Sequence, residues 1–346
     1  MMSRNFFPFF ALFVVFAMVL AVCNSAVAGG DNTLASVKAR GLVKCAINDH
    51  KIGFGFLSKD GSLNGFDWDY CRAVAAATLG NAKACEARPT SSSDRFPVLQ
   101  SGEVDLLVRN TTWNITRDTA LGFNFAPTTF YDGQGMMVRK DSGVKTLKDL
   151  DGATVCVSAG TTTEKNLADT FRSLGIKYEP VIFNKSSAAS EAYKKGRCDA
   201  YSSDKTSLIS RRTTYDKPED HVLLPVIMSK EPLGPAVRHG DDNWFDIVKW
   251  TVNCTIEAEE LGVNQANVDA MLGSDDPRIL ELLGVEGELG KALGLKNDFC
   301  YQVIKQVGNY EDIYNRNLGP GTRAYLPRGL NSLWTEGGLL YSPPFH

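Results

Sequence analysis

Histidine is scarce in this chain, four in 346 residues, and its eight cysteines include no Cys-x-x-Cys pair. Metal ligands scattered in this way argue against a zinc site. Past residue 28 no apolar run is long enough to cross a bilayer. Lysine and arginine form no stripe and the formal net charge is −3, which argues against nucleic acid as a partner. The late Gly319-Pro320-Gly321 turn is not followed by Lys-Ser/Thr, so it is no phosphate cradle. No Ser/His/Asp or Cys/His nucleophile set is legible. The expectation is a protein that carries no cofactor, holds no metal and performs no catalysis.

What is present begins with a leader. Arg4, the apolar run 6–22 and Ser25-Ala26-Val27-Ala28-Gly29 make a secretory signal peptide over residues 1–28, cleaved after Ala28. A membrane anchor would need a longer run and a basic stop. Lipoprotein processing at Cys23 is disfavoured by Val22, a poor residue for that box. Export places the remaining cysteines, Cys45, Cys71, Cys85, Cys156, Cys198, Cys254 and Cys300, in an oxidising periplasm that favours disulfides. Their odd number leaves at least one unpaired. The mature length suits two lobes, each with its own core.

From residue 42 short strands alternate with helices, which predicts an α/β fold with largely parallel sheets. Residues 43–47 read as a strand. Asp67 then reads as an N-cap of an Ala-rich helix closed by Gly80. Residues 84–88 form a strand, Ser93 or Asp94 opens a helix closed by Gly102, and 104–108 is a strand. The order recurs after residue 150: a strand at 153–157, a helix presenting Leu167, Phe171 and Leu174 on one face and ending at Gly175, a strand at 181–183, a helix at 187–195 and a strand at 198–201. Gly102-Glu-Val-Asp105 and Gly196-Arg-Cys-Asp199 close the two units, each followed by a polar cluster. Ligands of open α/β sheets sit at the carboxyl ends of strands, so both clusters should face one cleft. Cys156 and Cys198 fall on strands of one small sheet and are the first disulfide expected. Cys254–Cys300 is second, and Cys71 joins Cys45 or Cys85.

Three stretches carry ligand chemistry. Arg109-Asn-Thr-Thr-Trp-Asn-Ile-Thr-Arg117-Asp118 can grip a carboxylate through guanidinium donors, or supply an ordinary surface Arg–Asp pair. Gly160-Thr-Thr-Thr-Glu164 precedes a helix whose first N–H groups attract anions, or simply caps that helix. Asp204 suits an ammonium group, or caps the helix that starts at Lys205. Together they fit a zwitterion.

These segments, with Gly65-Phe-Asp-Trp-Asp-Tyr-Cys-Arg-Ala-Val-Ala, Lys230-Glu-Pro-Leu-Gly-Pro and Gln306-Val-Gly-Asn-Tyr, make the chain resemble the periplasmic general L-amino-acid-binding proteins of bacterial ABC importers. The resemblance spans essentially the whole mature chain. It implies a two-lobed type II binding-protein fold: lobe 1 over 36–128, lobe 2 over 131–230, a return to lobe 1 over 235–275 and an extension over 276–346 packed mainly on lobe 1. Two crossover strands are implied near 127–134 and 225–235. It further implies Arg117 as the carboxylate-binding arginine, Thr112 as its hydroxyl partner, backbone contacts from Asn110, a second carboxylate clamp at Thr161 and Thr162, and Asp204 as the ammonium-binding acid. His50, Phe54 and Trp113 are side-chain pocket candidates. The loop Asn48-Asp-His-Lys-Ile-Gly53 departs from close relatives, as do Cys254 and Cys300, which look like an added cross-link. The implied function is monomeric capture of an L-amino acid and delivery to inner-membrane permease subunits. The alternatives are a cyclohexadienyl-type dehydratase on the same fold, with Glu164 or His50 as acid, and a chemosensory role.

Overall fold

The computed structural model describes residues 32–345, so the expected leader and Cys23 lie outside it. Among the described residues no helix is long and apolar enough to cross a membrane.

The helix Thr33–Arg40 starts on Asn32, whose side chain accepts from the Ala35 N–H. β1 (Val43–Ile47) follows, then a ribbon of β2 (His50–Lys51), β3 (Gly55–Leu57) and β4 (Leu63–Asn64). The next helix, Phe66–Leu79, is capped by Gly65 and not by Asp67. Gly65 has a φ of 134°, and a β-carbon there would lie 2.2 Å from the Phe54 carbonyl, so close approach of the ribbon fixes the helix start. Asp67 falls in the first turn, where its carboxylate accepts from the Asn110 N–H at 2.8 Å. β5 (Cys85–Pro89), the helix Arg95–Gln100, β6 (Leu106–Leu107) and β7 (Phe123–Phe125) complete this stretch.

β8 (Phe130–Arg139) enters the second sheet. There follow β9 (Ala153–Ser158), the helix Thr162–Leu174, β10 (Tyr178–Phe183), the helix Ser186–Lys194, β11 (Ala200–Asp204) and the helix Lys205–Arg212. On the helix Thr162–Leu174, Leu167 and Phe171 are buried, whereas Leu174 is 42% exposed because the apolar face ends before Gly175 turns the chain away. β12 (His221–Leu223), β13 (Lys230–Leu233) and β14 (Ala236–Arg238) are the last strands.

The first sheet runs β5-β1-β6-β14-β7 and the second β10-β9-β11-β8-β12. The triplets β5-β1-β6 and β10-β9-β11 are parallel, as the strand–helix alternation dictates. The remaining pairs are antiparallel, contributed by strands that enter or leave by the crossovers, so each sheet is more mixed than the repeat alone suggests. The start of β8 pairs antiparallel with β13, Phe130 opposite Leu233 and Gly133 opposite Lys230. These two strands join the lobes.

The paired Gly-x-x-Asp segments do the same job twice. Asp105 Oδ2 accepts from the Lys44 N–H of β1 at 2.8 Å, and Asp199 Oδ2 accepts from the Thr154 N–H of β9 at 2.8 Å. Each Asp N–H donates back to the same residue's carbonyl.

The larger core joins β1 and the helix Phe66–Leu79 to the helices Asp242–Glu260, Phe299–Gln306 and Tyr310–Leu318. Phe66 packs edge-on against Tyr310 and Tyr314. The second sheet has smaller clusters, one around Leu167 and Phe171, the other around Tyr193 and Tyr201. Disulfides join Cys45–Cys71, Cys156–Cys198 and Cys254–Cys300. Among the described residues Cys85 is the free thiol, and burial pushes it up to about 11.

Candidate functional site

The carboxyl ends of β6 and β11 meet across a narrow polar cleft with a cavity volume of about 40 Å³. Asn110 follows β6 with a φ of 36°, a left-handed conformation rare outside glycine. That geometry spends its N–H on Asp67 and turns its amide outward. Its Oδ1 accepts from Asn48 at 2.6 Å and its Nδ2 donates to Asp204 Oδ2 of the other lobe at 3.2 Å. Asp204 stands at the N-cap position of the helix Lys205–Arg212 yet makes no cap hydrogen bond. Its buried carboxylate crosses the cleft instead.

Thr161 caps the helix Thr162–Leu174: its hydroxyl accepts from the Glu164 N–H at 3.1 Å and donates to the Ser158 carbonyl at 2.7 Å. Of the first turn this leaves the N–H groups of Thr162 and Thr163 without a partner inside the helix, and both residues line the cleft. Thr112 and Thr162 come from opposite lobes, and both hydroxyls donate to Glu231 Oε2, at 2.5 and 2.9 Å. Asn166 and Ser229 donate to its other oxygen. Glu231 lies on the crossover strand β13, is 1% exposed, and is held above the usual carboxylate range by burial and then by Asp204.

Asn110, Thr112, Thr161, Thr162 and Asp204 therefore line one cavity. Arg117 stands behind this wall, not on it. It is 5% exposed, donates from Nη1 to the Thr112 carbonyl at 2.7 Å and lies over the Phe96 ring at 5.0 Å. Burial lowers its pKa to about 10, opposed by Glu231 and Asp204. The three side-chain pocket candidates are placed elsewhere. Phe54 is core, packed on Phe66 and Phe130. Trp113 is exposed, donates to Asp118 at 2.7 Å and stacks on Phe125. His50 pairs with Asp49, outside the cavity lining, and its pKa is lowered by burial and then by Arg211.

Lys51, Arg95, Arg109 and Arg211 also line the cavity, with Asn48, Ser92 and Ser186. Lys51 is buried over the Phe54 ring and donates to Thr206 at 2.9 Å; burial lowers its pKa, while Asp204, Asp132 and Asp67 oppose that. Burial raises Asp67 to about 6, and burial with Asp204 raises Asp132 to about 7. Arg109 donates from Nε to the Thr90 carbonyl at 3.0 Å, and burial lowers its pKa to about 10. Sequence reasoning had no grip on Lys51, Arg95, Arg211 or Glu231. The last sits in the Lys230-Glu-Pro motif, on the crossover strand β13. Among the described residues no group of three or more His, Cys, Asp or Glu could hold a metal ion.

The model for bacterial extracellular solute-binding proteins, family 3, matches residues 43–263. The chain is 52% identical to the general L-amino acid-binding periplasmic protein AapJ of Rhizobium johnstonii over 330 residues, covering 95% of this chain and 96% of that one. It is 46% identical to the glutamate/glutamine/aspartate/asparagine-binding protein BztA of Rhodobacter capsulatus, covering 95% and 98%. A solved ABC-transporter periplasmic binding protein from Brucella ovis with glutathione bound superposes with a TM-score of 0.88 at 48% identity, covering 91% of this chain and 99% of that one. With matched family signature, two sheets joined by paired crossovers and a polar cleft between them, the chain belongs to family 3 of the bacterial extracellular solute-binding proteins.

Proposed function

We propose that this protein is the periplasmic amino-acid-binding component of an ABC importer, acting as a single chain without catalysis. The observation that carries the reading is Asp204, a buried carboxylate that declines its cap position and faces Asn110 across the cleft. The ligand's ammonium is assigned to Asp204. Its α-carboxylate is assigned to the first-turn N–H groups at Thr162 and Thr163 and, on the other lobe, to Arg117, which turns its guanidinium from the Thr112 carbonyl of the cavity wall to the ligand. Lobes spanning 36–128 and 131–230 close on the ligand, since contacts to both make the closed state bind better than the open one. The closed, loaded form then docks on membrane permease subunits. Cleavage of residues 1–28 delivers the mature chain to the periplasm.

The test is a thermal-shift screen of the refolded, ligand-free mature protein against L-amino acids, with D-enantiomers, prephenate and sugars as controls. Binding stabilises by RT ln(1 + [L]/Kd), about 2.7 kcal/mol at a hundredfold excess over Kd. Stabilisation by L-amino acids and not by their enantiomers is expected. A response to prephenate alone would overturn the assignment in favour of a dehydratase.

A further inference from the structure

A second cavity, of about 340 Å³, lies behind the ribbon of β2, β3 and β4. β2 separates it from the interlobe cleft: Lys51 lines the cleft, and the next residues, Ile52 and Gly53, line the cavity at its back. The opposite wall belongs to the C-terminal extension, which packs so closely that a β-carbon on Gly53 would lie 2.7 Å from Leu318 and 2.8 Å from Ala324. Arg316, Asn317 and Arg323 on that wall lie beyond residues 43–263, the stretch matched by the family model. Phe56, Leu63 and Trp68 supply apolar surface. The volume falls within the range of small-molecule sites, about 300–1,000 Å³.

Charge in this cavity is one-sided. Three guanidinium groups, Arg72, Arg316 and Arg323, line it against one carboxylate, Asp69. Asp69 accepts from Arg72 at 2.7 Å, from Arg316 at 2.9 and 3.1 Å and from Asn317 at 2.7 Å, so the acid is shared between two of the three. Arg323 joins none of the ion pairs among the described residues and donates to the Thr213 carbonyl of the other lobe at 3.2 Å. Positive charge beside apolar walls concentrates the field that draws in an anion. Guanidinium groups also grip a carboxylate with paired donors and stack on flat rings. We infer that this second cavity binds a small anion with a flat apolar body, an arylalkyl carboxylate by chemical class. Its carboxylate meets Arg316 and Arg323, and its ring lies against Trp68 and Phe56. The assignment is independent of what the interlobe cleft binds.

The experiment is calorimetry on the mature chain with phenylacetate as the probe. Phenylacetamide keeps the ring and loses the charge, and acetate keeps the charge and loses the ring. One equivalent of phenylacetate is expected to bind, at least about tenfold more tightly than either control, as fits one charge-assisted contact and one buried ring. In Arg323→Gln phenylacetate affinity should fall at least about fivefold, phenylacetamide affinity staying within about twofold. Should that variant fail to fold, Arg316→Gln and the wild-type ratios decide. No saturable binding of phenylacetate, or equal binding of phenylacetamide, would overturn the inference. Phenylacetate affinity unchanged in both variants would overturn it too, by placing the probe elsewhere on the molecule.

Discussion

Lys44 on β1 and Thr154 on β9 hold equivalent places in the two lobes, each clipped by the aspartate that follows Gly by three. Counting onward from them, Cys45 matches Val155 and Ala46 matches Cys156. The two disulfides therefore leave the central strand at adjacent positions, and so on opposite faces of the sheet. Cys45 reaches Cys71 on the helix Phe66–Leu79, whereas Cys156 reaches Cys198 just before β11. The same backbone unit is repeated, but its cross-link is not. Backbone pattern fixes where strands lie, and a one-residue shift decides which layer is tied to them. The cleft shows a partial division: the first lobe contributes Lys51, Arg95 and Arg109, the second Arg211, most of the hydroxyls, a helix start and Asp204.

The comparison is broken most sharply by removing a bridge. Cys156→Ser with Cys198→Ser opens a loop of sequence separation 42, worth about 4 kcal/mol in the chain-entropy picture. The matching loss at Cys45–Cys71, separation 26, is about 3.5 kcal/mol and falls on the larger core. Urea unfolding should therefore show the second lobe melting first in the former pair only. A single shared transition in both would contradict unequal lobes.

Next in size, Asp204→Asn should weaken ligand binding on the order of a hundredfold, about 3 kcal/mol, with little change in melting temperature. Unchanged affinity by calorimetry would remove Asp204 from the ammonium site. Thr161→Ala deletes the cap that starts the helix Thr162–Leu174 and should cost about 1 kcal/mol. Hydrogen exchange should report that loss in the second lobe alone, and protection unchanged there would count against the cap.

The smallest effect is a pH slope. Asp132 is raised to about 7 in the folded protein, above its unfolded value, so the folded state holds the proton more firmly. Its contribution to stability is present at low pH and lost as pH rises from the ordinary carboxylate range through about 7. Asp132→Asn should reduce the fall in urea midpoint between pH 5 and pH 8. Identical slopes would show that Asp132 titrates normally.

The lobes and parallel triplets were legible because glycines closed the helices at Gly80 and Gly175 and apolar runs marked the strands. The clipping aspartates were visible as spacing. The cap at Gly65 was not, because its cause is a ribbon brought close only by folding. At the site, Asn110, Thr112, Thr161, Thr162 and Asp204 could be named because they follow strands directly. Arg95 hid inside a helix start and Lys51 inside a two-residue strand, where local pattern carries no record of the cavity. Phe54 and Trp113 misled for the opposite reason: an aromatic near a polar loop is as readily core or surface as pocket wall.

A threonine hydroxyl has a single proton to give. Thr112 and Thr162 both commit theirs to Glu231, so each can meet a ligand only with a lone pair. One carboxylate on a crossover strand thus sets the polarity of two side chains on two lobes, turning both toward ammonium and leaving the ligand's negative groups to guanidinium and main-chain N–H donors.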